Sequence, residues 1–189
     1  MVFSRRQFLK LSAGGLLLAT GLPRLVQAQA LPVAKCPTDP RSLTFNNLHT
    51  NERLDCCYFD GSDYVESVLT NLNHFCRDFR RNEVHVMDRK LFDLLYQIKL
   101  LLATDAEVEL VSGYRSLATN NALRKHSHGV AKHSYHTKGQ AIDFRLKGVP
   151  LNEVHEAALA LEQGGVGYYP RSNFVHIDTG PVRHWSQSV

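Results

Sequence analysis

The sequence contains no internal repeat and no low-complexity tract, which excludes solenoid and fibrous architectures. Beyond the first 30 residues there is no apolar stretch of about 18 residues, so no membrane span is expected in the mature chain. Cysteine is scarce. The four are Cys36, Cys56, Cys57 and Cys76, and no C-x-x-C pair occurs, which argues against a thiolate metal knuckle. Acidic residues are absent from residues 1–30, which carry Arg5, Arg6, Lys10 and Arg24. The remaining 159 residues hold 18 basic and 18 acidic side chains, so the net charge of +4 belongs to the first segment. A duplex-binding domain with a basic face loses its main support, and no nucleic-acid partner is expected. What remains is a chain of 189 residues, 43% hydrophobic and 21% charged, sufficient for one packed domain.

Residues 1–30 are predicted to be an export signal. A charged start is followed by an apolar run from Leu11 to Leu22 and by Ala28-Gln29-Ala30, an A-x-A cleavage pattern. Ser4-Arg5-Arg6-Gln7-Phe8-Leu9-Lys10 resembles the twin-arginine signal. The run of about 12 residues makes about 18 Å of helix, short of the roughly 30 Å hydrocarbon core. The expectation is therefore cleavage and a periplasmic location, with the twin-arginine translocase as a partner during export. Such a compartment permits disulfides. Cys56 and Cys57 are neighbours and poorly placed to bond each other, so any bridge is expected to reach Cys36 or Cys76. Buried free thiols are the alternative.

Residues 31–41, with three prolines, read as a flexible lead-in to a domain spanning 42–189. Ser42–Leu48 and Arg53–Phe59 read as a β-hairpin. Apolar residues at spacings of three and four predict a helix over Asp63–Phe79 and another after Asp88. Glu107–Val111 reads as a short strand, and Ser116 can cap a helix to about Lys125. Gln140–Leu146 reads as a strand, Pro150–Gln163 as a helix, and Val166–Tyr169 and Asn173–Thr179 as antiparallel strands. This order predicts an α+β fold. It is a small antiparallel sheet with helices on one face, which leaves the other face open.

The chemistry concentrates in Ser134-Tyr135-His136-Thr137-Lys138-Gly139-Gln140-Ala141-Ile142-Asp143. Strand alternation puts Ile142, Phe144 and Leu146 on one face and Asp143 on the other. In the strand at 173–179, Val175 and Ile177 face the core, and His176 and Asp178 face away. Asp143 and His176 share a side if the strands share a sheet. Seven residues separate His136 from Asp143, about 23 Å if extended. Shared coordination therefore requires a fold-back at Gly139. Two histidines and one carboxylate leave a fourth position open, as in catalytic zinc sites. His126, His128 and His133 remain competing ligands by spacing alone, and His126-Ser127-His128 is a plausible pair.

Ser134-x-His136-x-x-Gly139-x-Ala141-x-Asp143 followed by His176 resembles the zinc signature of the D-Ala-D-Ala peptidase and lysostaphin-type enzymes. That group includes sonic hedgehog. Ser112-Gly113-Tyr114-Arg115-Ser116 resembles their arginine-bearing turn. The likeness is closest to the murein endopeptidases of the group. It is carried by residues 42–50, Gly165-Val166-Gly167-Tyr168-Tyr169-Pro170 and Phe174-Val175-His176-Ile177-Asp178-Thr179-Gly180. The resemblance implies a Zn2+ site at His136, Asp143 and His176, with peptidoglycan stem peptides as substrate.

The sequence departs from the group at the general base. Relatives place a carboxylate three residues before the last ligand, or a histidine two before it. Asn173 and Phe174 stand there instead. Asp178, one strand period after His176, is the leading candidate base; it can equally steady a ligand or shape a turn. His133 is the second candidate. Arg115 is expected to hold the scissile carbonyl as charge develops, with a surface salt bridge as the alternative. The reading is a zinc-dependent murein endopeptidase. Its rivals are a D,D-dipeptidase or carboxypeptidase of the same fold and a non-hydrolytic, zinc-dependent binding module.

Overall fold

The computed structural model describes residues 39–126 and 130–187. The leader at 1–30, Cys36 and His128 fall outside these residues. The strands are β1 (Arg41–Asn47), β2 (Arg53–Phe59), β3 (Val108–Ser112), β4 (Ala141–Leu146), β5 (Gly165–Tyr169), β6 (Phe174–Asp178) and β7 (Arg183–Ser186). The helices are α1 (Glu66–Phe75), α2 (Lys90–Leu101), α3 (Leu117–His126) and α4 (Leu151–Ala160), with 3-10 turns at Tyr135–Lys138 and Pro170–Ser172. The fold is α+β, as expected.

The sheet departs from the expectation of a small antiparallel one. It has seven strands in the order β2-β1-β3-β4-β6-β5-β7, and β1–β3 and β5–β7 are parallel pairs. The reason lies in the connections. The chain leaves β1 through β2 and crosses over through α1 and α2, so β3 returns in the direction of β1. At the other end β6 has β4 and β5 on its two edges, so β7 can add only beyond β5, parallel to it.

The apolar faces meet as their alternation requires. Ile142, Phe144 and Leu146 of β4 and Val175 and Ile177 of β6 join Leu91, Leu95 and Ile98 of α2 and Val154 of α4 in one buried cluster. Each such side chain contributes roughly 1.5–3 kcal/mol by leaving water. This core fixes the opposite face of β4 and β6 as the one that carries Asp143 and His176.

The predicted helix 63–79 stops at Phe75. The Cys76 carbonyl accepts the Tyr114 amide at 2.7 Å, and the Asp78 carboxylate accepts the Ser116 amide and hydroxyl at 3.0 and 2.7 Å. Residues that read as the last helical turn are thus taken by the Ser112–Ser116 turn, and tertiary bonding overrides periodicity. Ser116 also caps α3 through the Thr119 amide at 3.2 Å.

Among the described residues Cys56, Cys57 and Cys76 are free thiols. Cys56 and Cys76 are buried, and burial pushes their pKa values up to about 11 and about 12, which makes them inert.

Candidate metal centre

β4 and β6 are neighbours, and their register sets Asp143 directly opposite His176 on one face. His136 reaches them from the 3-10 turn before β4. The fold-back occurs at Gly139, whose φ of +67° is accessible to glycine, and the Gln140 amide donates to the Tyr135 carbonyl at 3.0 Å. His136 Nε2, Asp143 Oδ1 and His176 Nδ1 converge. Their separations are 3.1 Å (His136–Asp143), 3.3 Å (His136–His176) and 2.8 Å (His176–Asp143). All three side chains are buried.

The other ring nitrogens decide what these atoms present. His136 Nδ1 lies 2.7 Å from the Gly113 carbonyl, which can only accept, so Nδ1 carries the proton. His176 Nε2 lies 3.0 Å from Asp178 Oδ2 and donates to that carboxylate. Two lone pairs and a carboxylate oxygen therefore point at one another. That donor set calls for a cation, and the outer hydrogen bonds orient both rings for it. Tetrahedral zinc, with bonds of about 2.1 Å, keeps its ligand atoms about 3.4 Å apart, so these residues fit it.

The titration behaviour agrees. Burial pulls the His136 pKa down to about 4, which keeps the ring neutral. Burial also opposes ionisation of Asp143, but the charge and hydrogen bonds of His136 and His176 win, and its pKa falls well below the ordinary value. For His176, burial is outweighed by hydrogen bonds to Asp143 and Asp178, and its pKa rises. Asp143 is thus held ionised beside a neutral His136.

The centre opens on a pocket of ≈ 520 Å³. Arg115 lines it, donating Nη2 to Asp143 Oδ2 at 2.9 Å and Nε to Ser112 Oγ at 3.1 Å. The Arg115 amide also donates to the His136 carbonyl at 3.1 Å. His133 is an exposed pocket residue. His126 sits exposed on α3, outside the converging group. Asp178 is wholly buried and does not line the pocket. Tyr169, Phe174 and Trp185 line the wall, and Trp185 donates Nε1 to the Tyr169 hydroxyl at 2.8 Å. His49, His85 and His155 stack on Phe79, Tyr114 and Tyr168.

Two contributors escape a reading of the sequence. The Gly113 carbonyl has no side chain to betray it. Arg183, on the unexpected strand β7, binds Asp178; the alternation Gly165-x-Gly167 on β5 is the signal that marks its path.

The family model described as peptidoglycan L,D-endopeptidase MepK matches residues 35–185, which include every residue of the centre. The chain belongs to the MepK family. The peptidoglycan L,D-endopeptidase MepK of Escherichia coli K12 is 58% identical over 146 residues, covering 77% of this chain and 80% of the relative. A Haemophilus influenzae protein named probable peptidoglycan L,D-endopeptidase MepK is 48% identical over 177 residues, covering 93% and 92%. No solved structure matches. Membership of the MepK family bears out the resemblance carried by the His136–Asp143 motif and by Phe174–Gly180.

Proposed function

We propose that the protein is a zinc-dependent peptidoglycan L,D-endopeptidase of the periplasm, delivered there by the twin-arginine route. The observation that carries this reading is the convergence of three proton-free donor atoms at the base of a pocket. The names of the MepK relatives supply the substrate class and the bond. The charge balance of the chain beyond residue 30 suits a peptide bearing both signs.

His136, Asp143 and His176 hold the metal in this reading. Zinc bound there supplies Lewis acidity for a peptide carbonyl and lowers the pKa of water to about 7. The chain supplies the rest. Arg115 pins the second oxygen of Asp143 with Nη2 and leaves Nη1 for the scissile carbonyl as it gains charge. His133, the pocket imidazole outside the ligand set among the described residues, takes the proton. Asp178 holds the His176 ring and keeps its own charge. The aromatic wall of Tyr169, Phe174 and Trp185 offers apolar surface to the stem peptide.

The test is digestion of purified murein by the purified protein, with and without a chelator, read by mass spectrometry. The expected result is release of fragments cut at an L,D bond, abolished by chelation and restored by zinc. Release of single terminal residues points to the carboxypeptidase rival. Binding without cleavage under every metal condition points to the binding-module rival.

A further inference from the structure

The metal face of the sheet is built in two cross-strand rows. The first runs Asp143 (β4), His176 (β6), Gly167 (β5) and Trp185 (β7); the second runs Ala141, Asp178, Gly165 and Arg183 across the same strands. In both rows β5 contributes a glycine. A Cβ at Gly165 would lie 2.5 Å from both Arg183 Nη1 and Asp178 Oδ2. A Cβ at Gly167 would lie 2.6 Å from the Trp185 indole. The side chains of β7 therefore reach over a bare strand onto β6.

What they reach is the support of the metal site. Arg183 grips Asp178 with both ends of its fork, Nη1 to Oδ1 at 3.0 Å and Nη2 to Oδ2 at 2.6 Å. Its guanidinium lies 4.9 Å from the Tyr135 ring centre and 5.1 Å from that of Trp185. Trp185 in turn lies 5.2 Å from the His176 ring. Asp178 has no contact with solvent; the Gly165 and Gly180 amides hold only Oδ1, and Arg183 Nη2 is the donor that shares Oδ2 with the His176 ring. We infer that Arg183 is the positioning residue for the metal site, fixing Asp178 so that Asp178 fixes the His176 ring with Nδ1 toward the centre. The inference rests on the metal-site reading above. Lys cannot replace it, because an ammonium is a point charge without a planar fork.

The experiment uses the metal-free protein, with zinc affinity measured by competition against a chromophoric chelator. Folding is followed by circular dichroism, and the site by the absorption spectrum of the cobalt-substituted form. Arg183→Gln is expected to lose about 10–100-fold in zinc affinity, as outer partners of metal ligands do, and to change the cobalt spectrum. Arg183→Lys is expected to lose affinity in the same direction while keeping the charge and the fold, so it answers the question if Arg183→Gln does not fold. Arg183→Gln combined with Asp178→Asn is expected to lose little more than Asp178→Asn alone, because both act through one hydrogen bond. Wild-type affinity and spectrum in a folded variant with a lowered Tm make Arg183 a strand-edge stabiliser only, and overturn the inference. So do additive losses in the double variant. A wild-type chain that binds no zinc overturns the metal-site reading and the inference with it.

Discussion

A carboxylate has about four lone-pair sites. Asp178 accepts five hydrogen bonds, from Gly165 N, Gly180 N, His176 Nε2 and the two ends of the Arg183 fork. Burial favours its neutral form, but these donors overcome it and hold the pKa well below the ordinary carboxylate value. Such a group is a poor proton acceptor and a good anchor. Asp178→Asn is therefore expected to cost zinc affinity by about 10–100-fold, with activity restored at high zinc. His133→Ala is expected to keep zinc and to lower kcat by about 10²–10⁴-fold. A fall in kcat with full zinc occupancy in Asp178→Asn reverses these assignments. The histidines also set a pH dependence in the metal-free protein. His136, lowered to about 4, takes up a proton on unfolding below its ordinary value of 6.5. Its contribution is complete above pH 6.5 and fades as pH falls toward 4. His155, lowered by burial, acts in the same direction. His176, raised, contributes fully below pH 6.5, and that contribution is lost as pH rises. The Tm of the metal-free protein is expected to peak near pH 6.5, and His136→Asn to flatten the acid side. An unchanged acid slope in that variant rules out His136 as its source.

Between elements, two turns and the irregular stretch after α1 hold the ligands in place. The Ser112–Ser116 turn presents Gly113 to His136 and Arg115 to Asp143, and the Tyr135–Lys138 turn presents His136 itself. Residues 76–88 brace both. Cys76 and Asp78 bond the first turn, and the Asp88 amide donates to the Gly139 carbonyl at 2.8 Å in the second. A Cβ at Gly139 would lie 2.2 Å from the Val86 carbonyl oxygen, besides adopting a φ of +67°. Gly148 has a φ of +77° with nothing within 4 Å, and so isolates the backbone cost. Gly148→Ala is expected to lose about 1–2 kcal/mol, a Tm shift of roughly 2–8 °C. Gly139→Ala is expected to lose more and to weaken zinc binding as well. Equal Tm losses in the two variants, with zinc affinity intact, show that the brace does not support the site. The helix predicted through Phe79 failed for the same reason: periodicity at 76–79 was a local preference, and the turn at 112–116 claimed Cys76 and Asp78.

At the scale of the whole molecule, the proposed twin-arginine route would link export to folding and to metal loading. A twin-arginine leader passes chains that are already folded, so the site can be loaded before transport. Replacing Arg5 and Arg6 by Lys is expected to leave uncleaved, metal-loaded protein in the cytoplasm; normal periplasmic levels on fractionation reject that route. The sequence by itself determined the residue types and their faces. Strand alternation sets Asp143 and His176 opposite the apolar core, whatever the partners, because period-two geometry is local. The motif from Ser134 to Asp143 carried the family, since short-range spacing survives in a linear text. Only the tertiary structure decided which nitrogen of each ring faces the centre, because that depends on a carbonyl 23 residues away and a carboxylate on β6. It also decided that Asp178 lies buried beneath the pocket with both oxygens taken by donors, which is what supports the anchoring role proposed for it. Its donors come from β5, β6, β7 and the turn after β6, and no local pattern brings those segments together.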